Sequence, residues 1–211
     1  MANASVKGAI FGSAAEEVRR LRDTGAVSPE RLEVALDARA LALLDEKLNP
    51  ASWYPMASYG RLLALLGEIE GHGRDDYFRD RGRANAQRLM DAGLYQQLAF
   101  IERWSEQIRP SAVSEEKVVA SFVKNLTLVI SMARSIYNVG DWQVEADPDY
   151  RGRVRVVVSS AEDYTEPMRL AAEGFLSHAA RRKPDLYVSE RPSRARIVFR
   201  TTRPVAELTR G

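Results

Sequence analysis

The 211-residue chain has no cysteine. That absence excludes a disulfide framework, thiolate zinc sites, a thiol nucleophile and S-acylation, and it fits a reducing compartment. Histidine is nearly absent as well: His72 and His178 are the only two. A metal site needs several converging ligands and a haem needs an axial ligand in an apolar pocket. His72 stands between two glycines in a loop and His178 near the end of a helix, so no metal and no other cofactor is expected. Long apolar runs are missing too. Every apolar-rich stretch is broken by charge well before the roughly 20 residues of a membrane span. The opening "MANASVKGAIFGSAAEEVRR" lacks the apolar stretch of a secretory leader. The expectation is a cytoplasmic protein with no membrane span.

What is present is core-forming material. Apolar residues make up 45% of the chain, enough to bury a substantial core without disulfides or metal clips. One domain over 1–211 is expected, with a helical part at 1–140, a ββαββ part at 141–203 and a loose tail at 204–211. Net charge is only +2, but it is unevenly spread: residues 151–211 carry 13 Lys and Arg against 7 Asp and Glu, and residues 1–150 carry 18 against 22. A basic C-terminal third can meet phosphate, an acidic partner or the acidic part of another copy, or can simply be the solvated side of a sheet.

The helical part has clear punctuation. "SPERLEVALDARALALLDEKL" opens with Ser28 as N-cap, Pro29 at the first helical position and Glu30 against the helix dipole, and Asn49–Pro50 stop it. A second helix runs from Pro55 or Met56 to about Glu70, ended by Gly71 and Gly73. A third covers roughly 75–91, and Gly93 breaks it before "LYQQLAFIERWSEQI". The longest is predicted over 115–139, capped by Ser114 and ended by Gly140, with apolar residues around more than half its circumference, the pattern of a buried central helix.

After Gly140 the period changes from helical to alternating. "DWQVEAD", the turn "PDYRG" and "RVRVVVSS" read as a hairpin with a five-residue connection. A helix follows from about Thr165 to Arg182, with Met168, Ala171, Ala172, Phe175, Leu176 and Ala179 inward. "DLYVSER", "PS" and "RARIVFRTT" make a second hairpin. The fold class is therefore α+β: an N-terminal helical bundle packed on a four-stranded antiparallel sheet, helices first and then ββαββ. One sheet face on the helices would explain why Arg153, Arg155, Arg194, Arg196 and Arg200 share one alternation class.

No catalytic signature emerges. "GAIFGSAAEE" lacks both a Gly-Lys-Ser/Thr ending and GxGxxG spacing, and no serine stands in a GxSxG elbow. The pairs Asp75–Asp76, Glu115–Glu116 and Glu162–Asp163 are sequence neighbours, which diverge by about 100° on a helix and do not converge on one substrate. "RDRGR" at 79–83 lies beside Asp75, Asp76 and Asp80, as expected for local ion pairing on a solvated helix. An enzyme is not expected.

Aromatic residues are the more informative feature. Trp53, Tyr54 and Tyr59 cluster around a proline, with Tyr95, Trp104, Phe122, Tyr137 and Trp142 further on; rings with a polar edge suit a pocket mouth or a packed corner.

With "SVKGAIF", "WYPMASYGRLLALL" and "RGRANAQRLMDAGLYQQL" in this order, and ββαββ after them, the chain resembles an uncharacterised family expanded as paralogues in myxobacteria. That family is related in turn to haem–nitric-oxide-binding domains, 4-vinyl-reductase regulatory domains and Bet3-type vesicle-tethering subunits. The shared motifs are "VKGxxF", an aromatic-proline turn between helices and a glycine-containing third helix. The resemblance implies helices packed on one face of an antiparallel sheet, often in a dimer, with a small apolar ligand, an acyl chain or haem held between helices and sheet. This chain departs from those relatives in having no cysteine for zinc or for acylation, and only His178 as a helical histidine. It implies a non-enzymatic regulatory or sensor-type module, a homodimer, that binds a small apolar ligand or a partner protein, with Trp53, Tyr54, Phe122 and Trp142 lining or gating the cavity. The alternatives are a dimeric scaffold or assembly subunit without ligand, and weak nucleic-acid binding through the basic C-terminal sheet.

Overall fold

The computed structural model describes residues 4–91, 114–181 and 186–208. Its first element is a three-residue strand, β1 (Ser5–Lys7), that turns directly into α1 (Gly8–Asp23). The turn is possible because residue 8 has no side chain: a Cβ there would lie 2.0 Å from the Asn49 carbonyl oxygen. Val6 and Phe11 on either side are fully buried. Phe11 stacks on Tyr54 at 5.0 Å between ring centres. The "VKGxxF" and "WYP" motifs are thus packing partners.

The helical part continues with α2 (Pro29–Ala35), α3 (Ala38–Asp45), β2 (Trp53–Pro55), α4 (Met56–Ile69), α5 (Asp75–Asp91) and α6 (Glu115–Ala133). The single helix expected after Ser28 is two. Ser28 caps α2 as predicted, but Leu36 is extended and Asp37 caps α3, its side chain accepting from the Ala40 amide at 2.7 Å. An aspartate that bonds the backbone three residues ahead competes with helix continuation, so the apolar period spans a break. The predicted helix over 115–139 also stops early, at Ala133. Its last residues become β3 (Tyr137–Asn138), which pairs antiparallel with β1. The readings at Gly93, Tyr95 and Trp104 lie outside the described residues.

The second part follows the predicted order: β4 (Asp141–Ala146), β5 (Val154–Ser159), α7 (Glu166–Arg181), β6 (Tyr187–Ser193) and β7 (Arg196–Thr201). These four strands form one antiparallel sheet in the order β4-β5-β7-β6, and a separate small sheet of order β2-β1-β3 lies within the helical part. The class is α+β. The first hairpin connection runs over 147–153 rather than five residues, organised by the Asp147 carboxylate accepting from the Asp149 amide at 3.0 Å and by Gly152 at φ +75°. The second hairpin turns at 194–195, past the predicted "PS". The 204–211 segment is not a loose tail where it is described: Val205–Leu208 forms α8, with Val205 fully buried and its amide bonded to the Gly152 carbonyl at 2.8 Å.

Alternation along the strands puts Val154, Val156, Val158, Ile197 and Phe199 in the core under the helices. The other face carries Arg155, Arg196 and Arg200, and two of these are neutralised. Arg155 faces Arg200 across the ladder. Arg155 pairs with Glu145 at 2.7 Å, and Arg200 with Asp147, Asp149 and Glu190 at 2.6 to 3.2 Å. Arg153 and Arg194 stand in the two hairpin connections, Arg153 over the Tyr150 ring at 4.7 Å. Among the described residues no helix is long and apolar enough to cross a membrane.

Candidate functional site

Helices α5 and α7 cross in backbone contact, which sets the position of everything between them. A Cβ on Gly82 would stand 1.9 Å from the Ala171 carbonyl oxygen, and one on Gly174 would stand 2.0 Å from that of Arg79. Beside this crossing, "RDRGR" is not the solvated helix face expected of it. Arg79 Nε donates to the buried Glu173 carboxylate at 2.6 Å, tying α5 to α7, and Arg81 Nη2 donates to Glu17 of α1 at 3.0 Å. The local pairs Arg79–Asp76 and Arg83–Asp80 are present as well.

Below the crossing, α4, α5, the end of α6, α7 and β4 enclose a mainly apolar cavity of about 40 Å³, counted as the space open to the centre of a water molecule. Helical spacing delivers most of the wall: Met56, Tyr59 and Leu63 from α4, and Met168, Ala171, Ala172 and Phe175 from α7. Tyr137 of β3 and Trp142 of β4 close one side. Trp142 is held in place by its indole donating to the Val139 carbonyl at 2.8 Å and by stacking on Phe199 at 6.1 Å.

Polar side chains on the wall are few: Tyr59, Tyr137, Tyr164, Asn85 and Arg134, beside the Trp142 indole. The Tyr59 hydroxyl hydrogen-bonds Tyr137, and burial holds its phenol above the usual range. Tyr164 packs edge-on against Trp142 at 5.9 Å. Burial again pushes its phenol up, so both tyrosines stay neutral. Arg134, just past α6, also lines the cavity; its Nη2 lies 3.5 Å from the Trp142 carbonyl oxygen, and it has no carboxylate partner among the described residues. Among the described residues none on the wall is Asp or Glu.

No known family profile matches the chain, and neither does any curated protein. Solved structures do match. A mutant of the T. tengcongensis H-NOX protein superposes with a TM-score of 0.53 at 15% identity, over 94% of this chain and 99% of that one. An H-NOX structure from work on haem distortion in that family gives 0.50 at 14%, over 94% and 96%. The likeness is one of fold.

That fold raises the question of haem, and the residues of this cavity do not fit it. No histidine lines the wall. His72 is exposed in a left-handed turn at φ 51°, and His178 Nε2 is engaged with Gln87 Oε1 at 2.9 Å. The neutral tyrosines oppose the phenolate that would bind iron. The space falls far below the roughly 300–1,000 Å³ of pockets for larger ligands. Among the described residues no cluster of three or more His, Asp or Glu is placed to hold a metal.

Of the four residues named from sequence, Trp142 stands on the cavity wall. Trp53 is on β2, 43% exposed, with Lys7 Nζ 4.3 Å from its ring centre. Tyr54 stacks on Phe11 and its hydroxyl accepts from the Asn49 amide at 2.8 Å. Phe122 is buried in the core on α6. Sequence reading missed Tyr59 and Phe175 as wall residues, although Met56-Tyr59-Leu63 and Met168-Ala172-Phe175 each have the spacing of one helix face. It had no signal for Tyr164 or Arg134, which lie outside regular elements.

Proposed function

We propose that this chain is a non-enzymatic regulatory module that binds a small, largely apolar ligand in the cavity between its helices and its sheet. The supporting observation is an apolar, aromatic-lined cavity inside a fold like that of H-NOX domains, with Tyr164 and Arg134 among its few polar wall residues. On this reading the protein acts as one unit over 1–211, as a cytoplasmic homodimer that passes ligand occupancy to a protein partner. It stands with the myxobacterial paralogues and the 4-vinyl-reductase and Bet3-type domains as a relative stripped of haem, zinc and acyl-cysteine. Trp142 contributes to the wall; Trp53, Tyr54 and Phe122 support it from the surrounding packing.

The test is native mass spectrometry of the purified protein against its denatured mass, followed by thermal unfolding with small apolar compounds. A non-covalent added mass, or a melting temperature rising with ligand concentration, is the expected result. A dimer with no added mass whose melting point no compound moves would return the chain to the scaffold reading. The small volume of the cavity favours that second reading. Nucleic-acid binding through the sheet is disfavoured by the carboxylates that hold Arg155 and Arg200.

A further inference from the structure

The composition of the cavity wall narrows the ligand. Its wall is largely methionine, aliphatic and aromatic carbon, with Asn85 the one buried amide and no Asp or Glu among the described residues. Two polar side chains of the wall lie against Trp142 and can donate: the neutral Tyr164 phenol, edge-on to the indole, and the Arg134 guanidinium against the Trp142 carbonyl. We infer that the cavity takes a small aromatic or short-chain carboxylic acid, with its carboxylate at Arg134 and Tyr164 and its apolar body between Met56, Met168 and Phe175. This rests on the cavity being a ligand site at all.

The physical case is complementarity. A carboxylate is acceptor-only and matches two donors, whereas an amine or a metal cation would meet a like charge in Arg134. A guanidinium at the mouth leaves the head group partly in water, so the ligand gives up little of its hydration, while the apolar body is buried. The enclosed space is small, which restricts the body to about one ring or a few methylenes. Met56 and Met168 on opposite helices are the side chains able to yield for it, being unbranched and flexible.

The test is calorimetric titration of the whole chain with benzoate and with its neutral counterpart benzyl alcohol, in the native sequence, Arg134→Gln, Arg134→Lys and Tyr164→Phe, with each variant's fold checked by circular dichroism. Benzoate should bind at least tenfold more tightly than benzyl alcohol. Arg134→Gln should erase that advantage while leaving benzyl alcohol unaffected, Arg134→Lys should keep part of it, and Tyr164→Phe should weaken benzoate about tenfold. Benzyl alcohol binding as tightly as benzoate, or Arg134→Gln weakening both equally, overturns the inference and leaves the apolar-ligand reading standing. Binding of neither compound overturns the inference and counts against that reading too.

Discussion

Gly174 of α7 lies against the carbonyl of Arg79 on α5, leaving no room for even one added carbon. The reciprocal contact, Gly82 against the Ala171 carbonyl, sits on the same crossing, and Gly82 is itself part of the cavity wall. Gly174→Ala and Gly82→Ala should each lower stability by about 1–3 kcal/mol in urea unfolding, despite alanine's better helix propensity. The two share one interface, so the double variant should lose less than the sum.

Asp147 is the buried anchor of the outer sheet face. Its side chain has no solvent exposure, and both of its oxygens accept from Arg200 Nη1 at 2.6 Å. Asp147→Ala should cost about 2 kcal/mol, because it leaves Arg200 with only its more exposed partners Asp149 and Glu190 and unmakes the 147–153 turn. Asp149→Ala, at a half-exposed partner of the same arginine, should cost about 0.5 kcal/mol. Parallel chemical denaturation of the two variants measures the difference.

Alkaline pH should unfold the protein through its phenols. Burial, with help from the hydrogen bond to Glu70, pushes Tyr77 up to about 12 from an ordinary value of 10.0. Burial raises Tyr59 and Tyr164 too. In each case the native state binds the proton more tightly than the unfolded chain, so the stabilisation is complete below about pH 10 and is lost as pH rises through the folded values. For Tyr77 the window is about pH 10 to 12. Phenolate absorbance should therefore rise together with loss of helical circular dichroism; ionisation of all tyrosines well before unfolding would contradict this.

The two described tryptophans separate cavity from corner. Trp142→Phe should blunt any fluorescence response to a cavity ligand and weaken binding several-fold. Trp53→Phe, on a half-exposed strand outside the wall, should leave the response intact and change stability by less than about 0.5 kcal/mol. Fluorescence titration of both variants with the same compound checks this.

Local signals carried the class of fold and the ββαββ order: alternating valines in 154–158, the Ser28–Pro29 cap, the apolar face of 168–179. The errors fall where a distant partner or a competing side chain decides. Ile136 and Tyr137 continue the helical period of α6, yet the backbone of β1, far away in sequence, takes Tyr137 into a strand. Asp37 sits inside an unbroken leucine pattern and caps a new helix. The cavity was the least legible feature, since six elements build it: α4, α5, α6, α7, β3 and β4. The arginine alternation was visible, but the neutralisation of Arg200 depends on Asp147 and Asp149 in a loop and Glu190 on another strand.

Val6 faces Tyr54 on one side and Tyr137 on the other, so β1 is the shared middle strand between the segment that enters α4 and the segment that leads from α6 towards β4. Three residues therefore decide whether those two segments open separately or together. Exchange of the β1 amides with solvent should be as slow as global unfolding allows, and the melting of helices and sheet should coincide in a single transition.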